Sequence, residues 1–328
     1  MKTQEVSHPI DAVPVAVLPD ANTALPTRFL RVLLVIWRAM TISPRVAVGS
    51  AIVGFFILMG LFGPFFMTIN PNATSHLFIA PPSPAHWLGT TVVGEDLFSQ
   101  LVYGTRTSVF WGLGTGLLVT LVSVVVGLVG GYFGSWVDDV LTLLTNVSLV
   151  LPALPLAIVL AAYFPRGPLT ISLIIVFTNW AWQARVLRSQ TLSMRSREFV
   201  MAARASGEHT WRIIFFEIFP NEIGLVVAGF VSTTIYVVLA WAALEFLGLG
   251  DGTIPSWGGM LYWAQQTGAL GANLWWWFVP PGACIALLGA GLSLINFGID
   301  EVADPRLRRE RPEKAKKGFF TIRASRAS

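Results

Sequence analysis

The sequence predicts an all-α integral membrane protein with six transmembrane helices and a basic cytoplasmic loop between the fourth and the fifth. Three observations predict it. Hydrophobic residues make up 54% of the 328-residue chain and charged residues only 12%, more apolar material than a soluble core takes up. Six apolar stretches recur, five of them uncharged and long, the sixth also uncharged but shorter. The positive charges collect in three segments that six crossings place on one side of the bilayer.

The elements follow in chain order. Residues 1–40 read as a cytoplasmic N-terminal extension. Its first 27 residues are rich in Pro, Ala and Val without a usable period. Residues 29–40 are apolar but short, with Arg28, Arg31 and Arg38 around them, the pattern of a helix lying in the interface. About 45 residues precede the first span, which is too long for a signal-peptide core, so no cleavable signal is expected. The transmembrane domain is assigned to 41–304. Its spans are 46–67, 107–133, 140–164, 223–244 and 275–298, each uncharged and long enough to cross about 30 Å of hydrocarbon. The fourth, 169–184, is shorter and carries Asn179 and Gln183. In lipid these segments must be helices, because no water is present to satisfy open backbone groups.

Charge supports the short fourth span. The segment through Arg45 carries 5 Lys and Arg, the loop 185–221 carries 6 and the tail after Gly298 carries 9, leaving only Arg106 and Arg166 for the other side. Without a crossing at 169–184, the basic loop and the basic tail (305–328) would face opposite sides. Both termini and the loop are therefore expected in the cytoplasm. The net charge of +4 and pI near 9.5 then read as positive-inside anchoring near anionic lipid rather than nucleic-acid binding.

Between the first two spans, 68–106 opens with Pro71, Pro81, Pro82 and Pro84 and becomes helix-like over 95–103, on the external side. The third span carries Asn146, Pro152 and Pro155, which read both as a structural kink and as a bend lining a translocation path. Asn146 and Pro152 are candidate pathway residues. In the sixth span Pro280 and Pro281 sit just inside the external end, where a helix start tolerates proline. Trp275, Trp276 and Trp277 stand at that boundary as an aromatic belt, with a stacking surface for sugar rings as the alternative.

What the chain lacks narrows its function. It has no G-x-x-x-x-G-K-S/T phosphate loop, so it should not hydrolyse nucleotide by that route. His8, His76, His86 and His209 are scattered outside the spans, and no catalytic or metal cluster has usable spacing. The one cysteine, Cys284, excludes an internal disulfide and reads as a packing residue. Spans this poor in ionisable groups argue against an intramembrane enzyme and against an ion-coupled carrier. An external energy source fits better.

The loop offers one. From Ser196 it sets the small side chains of Ala202, Ala203, Ala205 and Ser206 beside Arg197, Glu198 and Arg204. Gly207 then breaks the pattern before a second helical run that reaches Phe219, Pro220 and Asn221. A short helix of small residues, a Gly turn and another helix suit close docking into a groove on another protein. This segment resembles the "EAA" coupling loop of ABC-importer membrane subunits, including the spacing from Gly207 to Pro220.

Three further blocks accompany it in order: His86-Trp-Leu-Gly-Thr with Gly94-Glu-Asp-Leu-Phe-Ser, then Gly130-Gly-Tyr-Phe-Gly-Ser-Trp-Val-Asp-Asp139, and finally Phe246-Leu-Gly-Leu-Gly250 with Pro255-Ser-Trp-Gly-Gly-Met260 and Asp304-Pro-Arg-Leu-Arg308. From about Ala80 to Arg308 the chain resembles a permease subunit of the dipeptide/oligopeptide/nickel class of ABC importers, of the second ("C") type. The resemblance implies the type I ABC importer permease fold in a bacterial or archaeal cytoplasmic (inner) membrane. It implies a homologous second permease subunit, two ATP-binding subunits that hold the ATP and Mg, and an extracytoplasmic substrate-binding protein; no cofactor falls to this chain. It implies an ATPase-coupling role for Glu198, Ala202, Ala203, Arg204, Gly207 and Pro220.

The chain departs from the family pattern at several points. Met201 stands where the "EAA" triplet usually has Glu, leaving Arg204 and Glu198 to compensate. Gly94-Glu95-Asp96 and Ser99-Gln100 replace the usual Gly-Arg-Asp and Ser-Arg. In the fifth span Trp241 occupies a position that is acidic in many peptide permeases, and Glu245 follows one helical turn later. Trp241 and Glu245 are therefore candidate pathway or gate residues; the plain alternative for Glu245 is a solvated residue at the helix end. Oligopeptides are the expected cargo. Oligosaccharides are the alternative, suggested by the external Trp257, Trp263 and Trp275 to Trp277. A stand-alone carrier or channel, and an exporter or assembly scaffold, are the readings of a different class.

Overall fold

The computed structural model describes residues 44–303, which are helical apart from turns, loops and one isolated antiparallel bridge between Thr90 and Asp96. The expected extension 1–40 with its interfacial helix, the tail 305–328 and the Asp304–Arg308 block lie outside the described residues. The helices are α1 (Pro44–Phe66), α2 (Leu97–Phe133), α3 (Ser135–Val150), α4 (Ala153–Tyr163), α5 (Pro168–Asn179) and α6 (Ala181–Met194). They continue as α7 (Glu198–Ala205), α8 (Thr210–Phe246), α9 (Trp257–Gln266) and α10 (Trp275–Ala303).

α2 is the central post, packed against α1, α3, α5, α6, α8 and α9. Its sequence explains why so many helices reach it. Gly112 and Gly116, one turn apart, lie against Val238 and Thr234 of α8. Gly127 and Gly131 lie against Leu187 and Thr191 of α6. A Cβ at any of the four would overlap the facing residue. In a bilayer, where lipid competes equally for apolar surface, such small-residue contacts are what bring helices together. α1 and α10 meet in the same way, Gly49 and Gly291 facing each other's helix and Gly298 facing Val46.

Among the described residues four helices are long and apolar enough to cross a membrane: α1, α2, α8 and α10. The expected third span is instead two helices, α3 and α4, bent by 89° at Leu151 and Pro152. Leu151 is extended (φ −72°, ψ 130°), as a residue before proline is driven to be. Counted as one broken span, this pair makes a fifth crossing. α5 has only 12 residues, but Trp180 keeps helical angles and α6 runs on from it. Contacts from Thr115 to Ser172, Ser123 to Trp180, Gly127 to Leu187 and Gly131 to Thr191 keep α5 and α6 alongside α2, in the same direction. The expected fourth span thus falls on two short helices, and by length and composition the described helices supply four crossings, or five with the bent pair, against the six expected.

Two boundaries also move. The helix-like stretch 95–103 is no separate element, because α2 runs unbroken for 37 residues from Leu97. Asp96 caps it, Oδ2 accepting from the Ser99 amide at 2.7 Å while Oδ1 lies 2.8 Å from His86 Nδ1. His86 is thus tied to the α2 cap, not isolated. α10 begins at Trp275, so Pro280 and Pro281 fall inside it rather than at its start. Of the expected belt only Trp275 is exposed; Trp277 is buried and Trp276 half-buried against the core.

Candidate functional site

The loop between α6 and α8 folds as predicted into a short helix and a glycine turn. α7 ends in a paired closure, the Gly207 amide donating to Arg204 O at 3.0 Å and the Glu208 amide to Ala203 O at 3.2 Å. This closure requires a left-handed residue, and Gly207 supplies it at φ +75°. No atom lies within 4 Å of where a Gly207 Cβ would stand, so the requirement is conformational and not steric. Gly207→Val is therefore expected to destabilise α7 locally by about 1–2 kcal/mol. Amide exchange of the α7 backbone should rise about 5- to 30-fold, whereas Gly207→Asn should stay near the wild-type rate.

α7 is held to the bundle by one side. Val200 is wholly buried in a cluster formed by Val124 and Leu128 of α2, Leu187 of α6, and Ile213, Ile214 and Ile218 of α8, with Ala203 at its edge. The outward face carries Glu198, Phe199, Met201, Ala202, Arg204 and Ala205, all exposed. Arg204, although exposed, also touches α2. Its guanidinium lies 4.7 Å from the Tyr132 ring centroid, and Nε donates to Tyr132 Oη at 3.2 Å. Glu198 stands in the first turn, where a carboxylate suits the helix dipole.

Beyond the turn, the second helical run is not a separate helix. It is the start of α8, which passes through a π-helical stretch, Ile213–Ile218, and then Pro220. Proline offers no amide to the ladder, which suits the wider turn beside it. Glu222, just beyond, is buried and lies 2.9 Å from Thr191 Oγ1 on α6. Asp138 and Arg188 form a two-point ion pair (2.5 and 2.7 Å) that joins α3 to α6. Asn146 is also committed, its Oδ1 accepting from Arg185 Nη2 at 2.6 Å. Pro152 sits exposed at the bend between α3 and α4. Sequence reasoning missed Val200, Glu222 and the Asp138–Arg188 pair. The only prior signal was the two aspartates closing the Gly130–Asp139 block.

The far end of α8 holds the other candidates. Trp241 is buried and stacks on Trp111 of α2 with ring centroids 5.9 Å apart. Glu245 is only 6% exposed, which overturns its reading as a solvated helix end. It is enclosed because α9 folds back onto α8, bringing the backbone of Gly258 against its side chain. A cavity of about 120 Å³ adjoins Glu245, with Arg166, Asp251, Tyr262 and Trp263 on its walls. These residues stand at the opposite end of α8 from α7, so the structure does not bring the two candidate groups together. Of the tryptophans suggested for sugar stacking, Trp263 and Trp275 are exposed and two others are not. Trp257 is wholly buried, its ring edge-on to Phe56 and its Nε1 donating to Leu101 O at 3.3 Å, and Trp277 is buried as well.

Comparison with known proteins bears on what this arrangement serves. The family described as binding-protein-dependent transport system inner membrane component matches residues 123–309, which take in α3 to α10. The oligopeptide transport system permease protein OppC of Bacillus subtilis is 32% identical over 80% of this chain and 86% of its own. The dipeptide transport system permease protein DppC of the same organism is 31% identical over 83% and 85%. The glutathione transport system permease protein GsiD of Pectobacterium atrosepticum is 29% identical over 69% and 75%. Among solved structures, the MetNI methionine ABC transporter in inward-facing conformations aligns with 62% of this chain and 94% of its own, at 18% identity and a TM-score of 0.49.

Proposed function

This chain belongs to the binding-protein-dependent transport system inner membrane component family, and from that premise we propose that it forms half of the translocation path of an ATP-driven oligopeptide importer. The chain is a membrane permease and not itself an enzyme. In the proposed complex a second, homologous permease completes the path. Two ATPase subunits hold ATP and Mg on the cytoplasmic side, and an extracytoplasmic binding protein delivers the cargo. Both termini and the α6–α8 loop face the cytoplasm of a bacterial or archaeal inner membrane. The peptide cargo is inferred from the oligopeptide, dipeptide and glutathione systems to which the chain is similar.

The observation that carries the reading is α7. It is an eight-residue helix whose Val200 is buried in a cluster drawn from α2, α6 and α8, with an outward face of small and mixed side chains. A rigid-body shift of an ATPase seated on Ala202 and its neighbours would press on Leu187, Leu128 and Ile214 together, coupling ATP binding to three helices. Arg204, stacked on Tyr132, stiffens the contact with α2, and Gly207 sets the turn by which α7 joins α8.

The test uses the complex isolated through an affinity tag on this chain and placed in liposomes with its binding protein. Uptake of a short peptide should require ATP, and the peptide should stimulate ATP hydrolysis. Solute movement by the purified chain alone down an ion gradient would overturn the reading in favour of a self-contained carrier. ATP-dependent efflux would mark an exporter.

A further inference from the structure

The end of α8 remote from α7 holds chemistry that coupling does not use. The cavity beside Glu245 shares Asp251, Gly252, Ser256, Gly259 and Trp263 with a second cavity of about 240 Å³ that reaches Glu95 and Gln100. The two are chambers of one cleft, lined by three carboxylates and one arginine. Two of the carboxylates are provided for. Glu95 accepts from Gln100 Nε2 at 2.8 Å. Asp251 accepts from the Thr253 hydroxyl at 2.7 Å and the Thr253 amide at 2.9 Å, and these two donors hold its carboxyl below the usual carboxylate range.

Glu245 is different. It is 6% exposed and its Oε2 is buried, yet no donor among the described residues bonds that oxygen. Trp241, Ser256 and the Gly258 amide surround the carboxylate, yet among the described residues Oε2 and the neighbouring Trp241 Nε1 are both left without a partner. Arg166, on the wall of the same chamber, is exposed and forms no ion pair with a carboxylate among the described residues. The backbone is shaped around the carboxylate: a Cβ on Gly258 would stand 2.8 Å from Oε2, and one on Gly250 would stand 3.0 Å from Cγ. Beside it, Tyr262 and the half-exposed Trp263 offer aromatic surface to the cleft.

We propose that this cleft is a subsite for a primary ammonium group, the free amino terminus of a transported peptide, with Glu245 as the anion that receives it. The peptide identity rests on the function proposed above; the ammonium chemistry rests on the cleft. A buried carboxylate with an unspent oxygen calls for a charged donor. An ammonium is compact enough for a chamber of about 120 Å³, brings three N–H groups, and is attracted by aromatic faces. Three carboxylates against one arginine give the cleft a field that draws cations in.

Gly252 lines both chambers and has room for a side chain, so Gly252→Cys in a Cys284→Ala background places a reporter thiol in the cleft. The intact complex is treated with three methanethiosulfonates bearing an aminoethyl, a trimethylammonioethyl or a sulfonatoethyl group. The aminoethyl-to-sulfonatoethyl rate ratio should fall about tenfold when Glu245→Gln is added and should be retained with Glu245→Asp. The trimethylammonium reagent, which has charge but no N–H, should respond several-fold less. Trialanine should protect the thiol, and N-acetyl-trialanine should not. A ratio insensitive to Glu245→Gln, or an equal response from the trimethylammonium reagent, overturns the subsite. If the ratio responds but trialanine gives no protection, the ammonium subsite stands and the peptide reading falls. If the complex transports trialanine while the ratio stays flat, the reverse holds.

Discussion

Replacing Val200 with aspartate is expected to abolish coupled transport while leaving the helix bundle folded. Val200 is the wholly buried side chain of α7, set in an apolar cluster drawn from α2, α6 and α8 against which Tyr132, Met194 and Phe219 also pack. A carboxylate there loses most of its hydration, at a cost of several kcal/mol even with Arg204 one turn along the helix. The bundle need not bear that cost. α7 has eight residues, and apart from Val200 only Ala203 meets the cluster. Lifting α7 into water relieves the charge at the expense of few other contacts. An undocking shift of about 3 kcal/mol lowers the docked population roughly a hundredfold. Peptide uptake by the reconstituted complex should fall on that order, while ATP hydrolysis continues without stimulation by substrate. Val200→Ala, which removes two methyl groups, should weaken docking by about 2 kcal/mol and give an intermediate loss. Met201→Glu, one residue along and 51% exposed, should keep uptake within about threefold of wild type. Uptake by Val200→Asp within threefold of wild type would show that docking through this residue does not carry the coupling.

That anchor illustrates where sequence reading stops. The class of the fold, the position of the loop and its glycine turn are legible, because hydropathy, charge and a left-handed residue each leave a local mark. Which face of α7 meets the bundle leaves none. Phe199, Val200 and Met201 are three apolar residues in a row; two are 40% and 51% exposed and the middle one is buried, in a helix too short to display a period. The carboxylates at the ends of the fifth span were obscured for a related reason. Glu222 and Glu245 stand just outside the uncharged stretch 223–244, where a carboxylate reads as solvated. Tertiary packing buries both: α6 covers Glu222 with Thr191, and α9 folds over Glu245. The tryptophans mislead in the opposite direction. Composition counts them as external surface, whereas Trp257 and Trp277 build the core beneath it.

The α2–α6 contact leads to the second large effect. Gly130 and Gly131 are adjacent and indistinguishable in sequence, yet Gly131→Ala should destabilise the protein and Gly130→Ala should not. A Cβ on Gly131 would meet Thr191 Cβ at 2.6 Å and the Arg188 carbonyl at 2.9 Å, so α2 and α6 must separate. The backbone carbonyl cannot rotate away, and separation also strains the neighbouring links from Thr191 to Glu222 and from Arg188 to Asp138. Overpacking of this kind costs about 1–3 kcal/mol, and Gly131→Leu more. A Cβ on Gly130 meets nothing nearer than Leu141 Cδ1 at 3.5 Å, an ordinary contact. There the exchange gains helix propensity of about 1 kcal/mol. Thermal unfolding in detergent should therefore separate the pair, with Gly131→Ala lower by about 5 °C and Gly130→Ala unchanged or slightly higher. Equal midpoints would mean that α6 is free to give way, and that the close approach at Gly131 and Thr191 does not hold the loop-bearing helix to the central post.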